Sequence, residues 1–109
     1  MTTIDTATFR ELQENAGPEF VTELVATFLE EAPLSLAELR TAWSAKSAER
    51  FRRAAHSIKS NGQTFGATAF AAMARQLETG GLPADPSGID GLEQEYQRVA
   101  AALTELCRG

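Results

Sequence analysis

The chain has 109 residues, enough for one domain with a substantial core and too few for two. Ten basic residues against fifteen acidic ones leave a formal net charge of -5, which argues against the basic surface that nucleic acid requires. No apolar run reaches roughly 18 residues, and the N-terminus "MTTIDTATFR" lacks the basic-then-apolar order of a secretion signal, so no membrane partner is expected and the location is read as cytoplasmic. The single cysteine, Cys107, cannot close an internal disulfide and has no second thiol or histidine nearby with which to hold a metal. It is expected to act as a small apolar residue.

Apolar residues recur at helical spacing along nearly the whole chain, which predicts an all-helical protein. A short first helix follows Asp5 or Thr6, turns Phe9 and Leu12 inward and stops at Gly17-Pro18. Val21, Leu24, Val25, Phe28, Leu29, Ala32, Leu36, Leu39 and Trp43 then draw one apolar stripe down a long helix. Pro33 removes a backbone donor from it, and because the stripe keeps its phase across Pro33, a kinked single helix is expected rather than two. Ser47 is the N-cap of a third helix that runs to about Phe65 and ends at Gly66. Phe70, Met73 and Leu77 mark the inner face of a fourth, stopped by Gly80-Gly81. The stretch "GGLPADPSG" reads as a loop, and Leu92, Tyr96, Val99, Leu103 and Leu106 give a final amphipathic helix. Helices joined by such short connections bury their stripes only against one another, as an antiparallel up-down bundle, so residues 1–109 are read as one all-α domain.

The third helix holds His56, the only histidine. At 100° per residue, Phe51, Ala55, Ile58, Gly62 and Phe65 fall within roughly 40° of one line and form its buried stripe. Arg52, His56, Lys59 and Gln63 lie about 80° to 140° round from that line, which puts the imidazole beside the core and not in it. Zinc commonly takes three or four protein ligands, which this chain does not gather around one histidine. Ser57 points about 100° away from its neighbour and no oxyanion-hole motif accompanies it, so hydrolase chemistry has little support.

What remains is an exposed imidazole with Lys59 one turn on and Gln63 a further turn along the same face. Ser60, Asn61 and Gly62 are small and poor helix formers, glycine costing about 1 kcal/mol relative to alanine, so this turn gives up helicity for another purpose. Steric access to His56 explains all three; for Gly62 a close contact between helices is the alternative. A neutral imidazole is a nucleophile at physiological pH and accepts a phosphoryl group reversibly. The ammonium of Lys59 would offset charge on the transferring oxygens, and Gln63 offers a neutral donor. Arg50, Arg52 and Arg53 make the start of this helix locally basic and are read chiefly as a solvated face.

The stretch "AHSIKSNGQTFGA" resembles the phosphorylation motif of histidine-containing phosphotransfer (HPt) domains, which Ala55, His56, Ser57, Ile58, Lys59, Phe65, Gly66 and Ala67 match in register. It departs at Ser60, where many members have glycine. "FVTELVATFLEEAPLSLAELRTAW", with a proline near its middle, is similar to the family's long preceding helix, and the final helix with its Gly/Pro-rich approach also fits. The resemblance implies a four-helix bundle with an additional short N-terminal helix, residues 47–65 supplying one helix of the bundle. It implies that His56 takes a phosphoryl group from the aspartate of one receiver domain and passes it to another's. The expected partners are response-regulator receivers, with a hybrid histidine kinase as a further candidate.

On this reading a receiver docks over Arg52, His56, Ser60 and Gln63, while Asn61 and Gly62 keep the surface low. Lys59 and Mg2+ held by the receiver share the developing charge; the chain itself needs no cofactor and no metal. It carries no ATP-binding motif, so it is read as a carrier and not a turnover enzyme, and a monomer is expected. The phosphoacceptor and dimerisation hairpin of a sensor histidine kinase is the first alternative, disfavoured because Ser57 stands where that family typically has an acidic residue and no proline follows until Pro83. A non-catalytic receiver-binding adaptor is the second, disfavoured by the intact His56 and Lys59. Met1 and the full set of helices point to a free-standing carrier.

Overall fold

Five helices make up most of the chain: α1 (Thr6–Ala16), α2 (Pro18–Ser44), α3 (Ala48–Thr64), α4 (Thr68–Thr79) and α5 (Ser87–Arg108). The structure, a computed structural model, describes residues 3–108, and no strand occurs among them. Met1, Thr2 and Gly109 fall outside the described residues, and with them the expectation drawn from Met1 and the outer limits of the expected domain.

Local chemistry sets the helix ends. The Asp5 carboxylate accepts from the Ala7 amide at 3.1 Å and from the Thr8 hydroxyl at 2.9 Å, satisfying α1's first turn. Ser47 Oγ accepts from the Arg50 amide and opens α3. At the other end of α3, Gly66 takes the left-handed conformation (φ 79) while the Ala67 amide donates to the Gly62 carbonyl at 2.9 Å. A Cβ on Gly66 would also lie 3.0 Å from the Asp5 carbonyl oxygen and from Thr8, and the Asp5 amide donates to Gly66 at 2.8 Å. The turn between α3 and α4 thereby holds the start of α1.

α2 runs through Pro33 as one helix of 27 residues. Proline leaves the carbonyl four residues back, that of Leu29, without its helical donor. The Tyr96 hydroxyl of α5 donates to that carbonyl at 3.3 Å, so a side chain from another helix replaces the missing backbone bond. α5 begins earlier than the loop reading allowed. Ser87 and Gly88 are helical, because the Asp85 carboxylate accepts from the Ser87 amide and the Pro86 carbonyl accepts from Asp90, each at 2.9 Å.

α3 packs on both α2 and α4, α5 packs on both α4 and α2, and α1 lies against α2. Phe51, Ala55, Ile58, Gly62 and Phe65 are all buried, as the helical wheel requires. Burying one large apolar side chain contributes about 1.5–3 kcal/mol, so this single stripe anchors α3 firmly. Phe28, Phe65, Phe70 and Tyr96 join the elements in one aromatic group with ring centroids 5.3 to 6.3 Å apart. Leu12, Met73, Leu77 and Cys107 are half-buried at the margin of this core.

The contact between α3 and α4 decides where the site lies. A Cβ on Gly62 would meet the Phe70 ring at 3.0 Å and Ala71 Cβ at 3.5 Å. Gly62 is buried, as its place in the stripe requires, and of the two explanations for its smallness the close contact between helices holds: it lets α4 approach, and it does not line the docking surface it was also assigned to. The buried Ala55, Ala71 and Ala74 add to the same seam.

Candidate functional site

His56 projects from the flank of α3 with its side chain 56% exposed, beside the core as the helical spacing predicts. Three residues on, Lys59 lies on the same flank. Both reach the same group on the facing helix. The Nδ1 atom of His56 is 2.7 Å from Oε2 of Glu78, and Lys59 Nζ is 2.7 Å from Oε1. Glu78, near the end of α4, is only 13% exposed and Lys59 only 19%.

The Lys59 ammonium against Oε1, and then the imidazole against Oε2, hold the Glu78 carboxyl below the usual glutamate range, outweighing the upward push of burial. Oε1 is closed to water, so the ammonium is the group that compensates it. An ionised carboxylate only accepts hydrogen bonds, so at this contact Nδ1 carries the proton and donates. Nε2 then keeps the lone pair, on a side chain that is more than half exposed, and makes no hydrogen bond among the described residues. A carboxylate that orients an imidazole through one nitrogen leaves the other free to act as base, nucleophile or ligand. No group of three or more His, Cys, Asp or Glu able to hold a metal ion occurs among the described residues.

The other residues expected around the histidine divide among three places. Arg52 and Ser60 are exposed one turn before and one turn after His56 and share its ridge. Asn61 is half-buried and turns toward α2, where it lines a shallow groove of about 200 Å³ with Leu24, Phe28 and Glu31; it does not stand on the histidine's face. Gln63 is exposed, but it lines a separate groove with Thr8, Ala72 and Arg75, and no hydrogen bond joins it to His56 or Lys59 among the described residues.

The basic start of α3 is largely paired. Arg50 binds Glu38 through two contacts, at 3.0 and 2.8 Å, and Arg53 binds Glu49 at 2.8 Å. Between α2 and α3 a groove of about 380 Å³ runs past Leu34, Glu38, Arg53, Ala54 and Ser57, with Leu34 70% exposed. Ser57 is exposed and lines this groove.

Glu78 is the site residue that sequence reasoning missed. It extends the line of Ala71 and Ala74, which are buried, at helical spacing, so it stands on the α4 face turned to α3. An acidic residue ending an alanine stripe was the available signal; which residue it would meet was not.

In its whole fold the chain is similar to the crystal structure of histidine-containing phosphotransfer protein B (HptB) from Pseudomonas aeruginosa PAO1, with 26% sequence identity and a TM-score of 0.89 over 97% of this chain and 95% of that one. No curated protein matches it. The family model described as Hpt domain matches residues 23–102, a span that takes in all of α3 and α4. The histidine, its lysine and the carboxylate that joins them all lie inside that match, which covers most of the chain, and the protein belongs to the Hpt domain family.

Proposed function

We propose that this protein is a phosphoryl carrier in a multistep phosphorelay, in which Nε2 of His56 accepts a phosphoryl group from the aspartyl phosphate of one receiver domain and yields it to an aspartate of another. The observation that supports the reading is the contact between Nδ1 of His56 and the Glu78 carboxylate on a side chain more than half exposed, which favours a proton on Nδ1 and a lone pair on Nε2. In-line attack forms the Nε2 to phosphorus bond as the aspartyl oxygen to phosphorus bond breaks, its electron pair staying with the departing carboxylate. The ring becomes an imidazolium whose Nδ1 proton still lies against Glu78, and discharge to the next receiver reverses these steps. No proton is lost or gained in either direction.

Lys59, one turn from the ring, keeps a positive charge near the path of transfer while its ammonium rests on Glu78. Mg2+ bound by the receiver would add to it, and this chain holds no cofactor of its own. Arg52 and Ser60 flank the histidine on the face a receiver would cover, with Gln63 at its far edge. The closed set of contacts among α2, α3, α4 and α5 supports an antiparallel up-down four-helix bundle with α1 as the additional N-terminal helix, and residues 1–109 as one domain. We take the carrier to act as a monomer in the cytoplasm; among the described residues no helix is long and apolar enough to cross a membrane. Response-regulator receivers are the partners, with a hybrid histidine kinase as one source of the donor receiver.

The test is transfer from a panel of phosphorylated receivers. His56 should acquire an acid-labile, base-stable label that chases into a second receiver, and His56→Gln should acquire none. Labelling that survives this substitution overturns the reading.

A further inference from the structure

A phosphoryl group on His56 and the carboxylate of Glu78 would compete for one ammonium. In the unmodified protein that ammonium is taken: Lys59 Nζ stands 2.7 Å from Glu78 Oε1. Phosphorylation of Nε2 would bring close to two further negative charges to the neighbouring turn of α3. Lys59 could move to them only by leaving Oε1, an oxygen closed to water, without its counter-charge. Arg52 of α3 and Arg75 of α4 are the other exposed cations of this region, and neither pairs with Glu78 among the described residues.

We propose that Glu78 sets how readily His56 gives up its phosphoryl group, by withholding Lys59 from the phosphoryl oxygens. The inference rests on the carrier reading and adds a role for the carboxylate. Glu78 acts through Lys59 as a positioning residue and does not touch the phosphoryl group. Its negative charge also repels that group, so both effects favour discharge over storage. During discharge the nitrogen to phosphorus bond breaks with its electron pair returning to Nε2. Phosphorus passes to a receiver's aspartate oxygen, or to water, which then releases a proton to solvent. The ring leaves as neutral imidazole with Nδ1 still protonated.

The experiment compares the full chain with Glu78→Gln, Lys59→Met and the double variant. Each is phosphorylated with phosphoramidate, a small donor that needs no protein partner, and the decay of phosphohistidine is followed by phosphorus NMR at pH 8. With one histidine in the chain the site of labelling is unambiguous. Glutamine keeps the size of Glu78 and can still accept from Nδ1, and the double variant leaves no buried charge unpaired, so folding is preserved and checked by thermal melting.

Glu78→Gln is expected to lengthen the phosphohistidine lifetime about tenfold, the scale of losing one close like charge and freeing one cation. In the Lys59→Met background the same substitution should change it by less than about threefold, the difference measuring the coupling of the two residues. A lifetime unchanged or shortened in Glu78→Gln overturns the proposal, as does an equal lengthening with and without Lys59. Wild-type protein that takes no phosphoryl group on His56 overturns the carrier reading itself, a distinct result.

Discussion

Two of the charge clusters that join helices of this protein are built in opposite proportions. Between α2 and α5, one base meets two acids: Arg40 binds Asp90 and Glu93 through its guanidinium, the Glu93 contacts at 2.9 and 3.3 Å. Between α3 and α4, one acid meets two bases, Glu78 serving His56 and Lys59. In the first, Glu93 and then Asp90 hold the guanidinium above its already high range, and the surplus charge is negative and lies in water. In the second, the shared carboxylate is the enclosed member, and the surplus is a basic nitrogen at the surface. Guanidinium has no lone pair to offer, whereas imidazole bound through Nδ1 keeps one. The same kind of interhelical ion pairing therefore ends in a guanidinium with no lone pair on one seam and an imidazole with a nitrogen to spare on the other.

That contrast is tested first by steric insult to the α3 to α4 seam. Gly62→Leu would drive a side chain into the Phe70 ring, since even the first carbon of that side chain would stand only 3.0 Å from it. Overpacking of this kind costs about 1–3 kcal/mol, and each kcal/mol lowers Tm by roughly 4–8 °C in a domain of this size. Since α4 carries Glu78, phosphoryl uptake by His56 should slow as well, measured alongside the thermal melt. A lowered Tm with uptake unaltered would separate the site from the seam.

Next comes acid. The Glu78 carboxyl is held below its ordinary range in the folded protein by Lys59 and His56. A group whose folded pKa is depressed contributes stability that is complete above the unfolded value, about 4.3, and is lost as pH falls through the folded value. The Tm difference between wild type and Glu78→Gln should be present at about pH 5 and shrink as pH falls below about 4. A difference independent of pH would mean that the carboxylate's charge is not what the cluster uses.

The smallest effect belongs to the other cluster. Arg40 is 38% exposed, and ion pairs in contact with water contribute about 0.2–1 kcal/mol, so Arg40→Met should move Tm only slightly. Phosphoryl uptake by this variant should equal that of wild type. Any loss of uptake would show that the α2 to α5 seam also shapes the site.

Much of this was legible in the chain because its signals are local. Asp5, Ser47 and Gly66 mark helix ends through hydrogen bonds and backbone conformations that span a few residues. The side of α3 that carries His56 follows from period alone. The extent of α5 was misread at Ser87 and Gly88, where a side-chain cap on Asp85 overrides the glycine's turn preference. Asn61 was grouped with Gly62 as part of a low surface, yet Asn61 turns to α2 while Gly62, which period already put on the buried stripe, meets α4, since adjacent residues of a helix point about 100° apart.

Sequence by itself determined five amphipathic helices and a histidine set off from the apolar stripe of one of them, because periodicity and capping act within a single segment. Only the tertiary structure decided what that histidine meets. Glu78 reaches Nδ1 because Gly62, Ala71 and Ala74 let α3 and α4 come close, and the matching of residues across that seam depends on how all the buried side chains settle against one another. No local pattern around residue 56 or residue 78 encodes that sum.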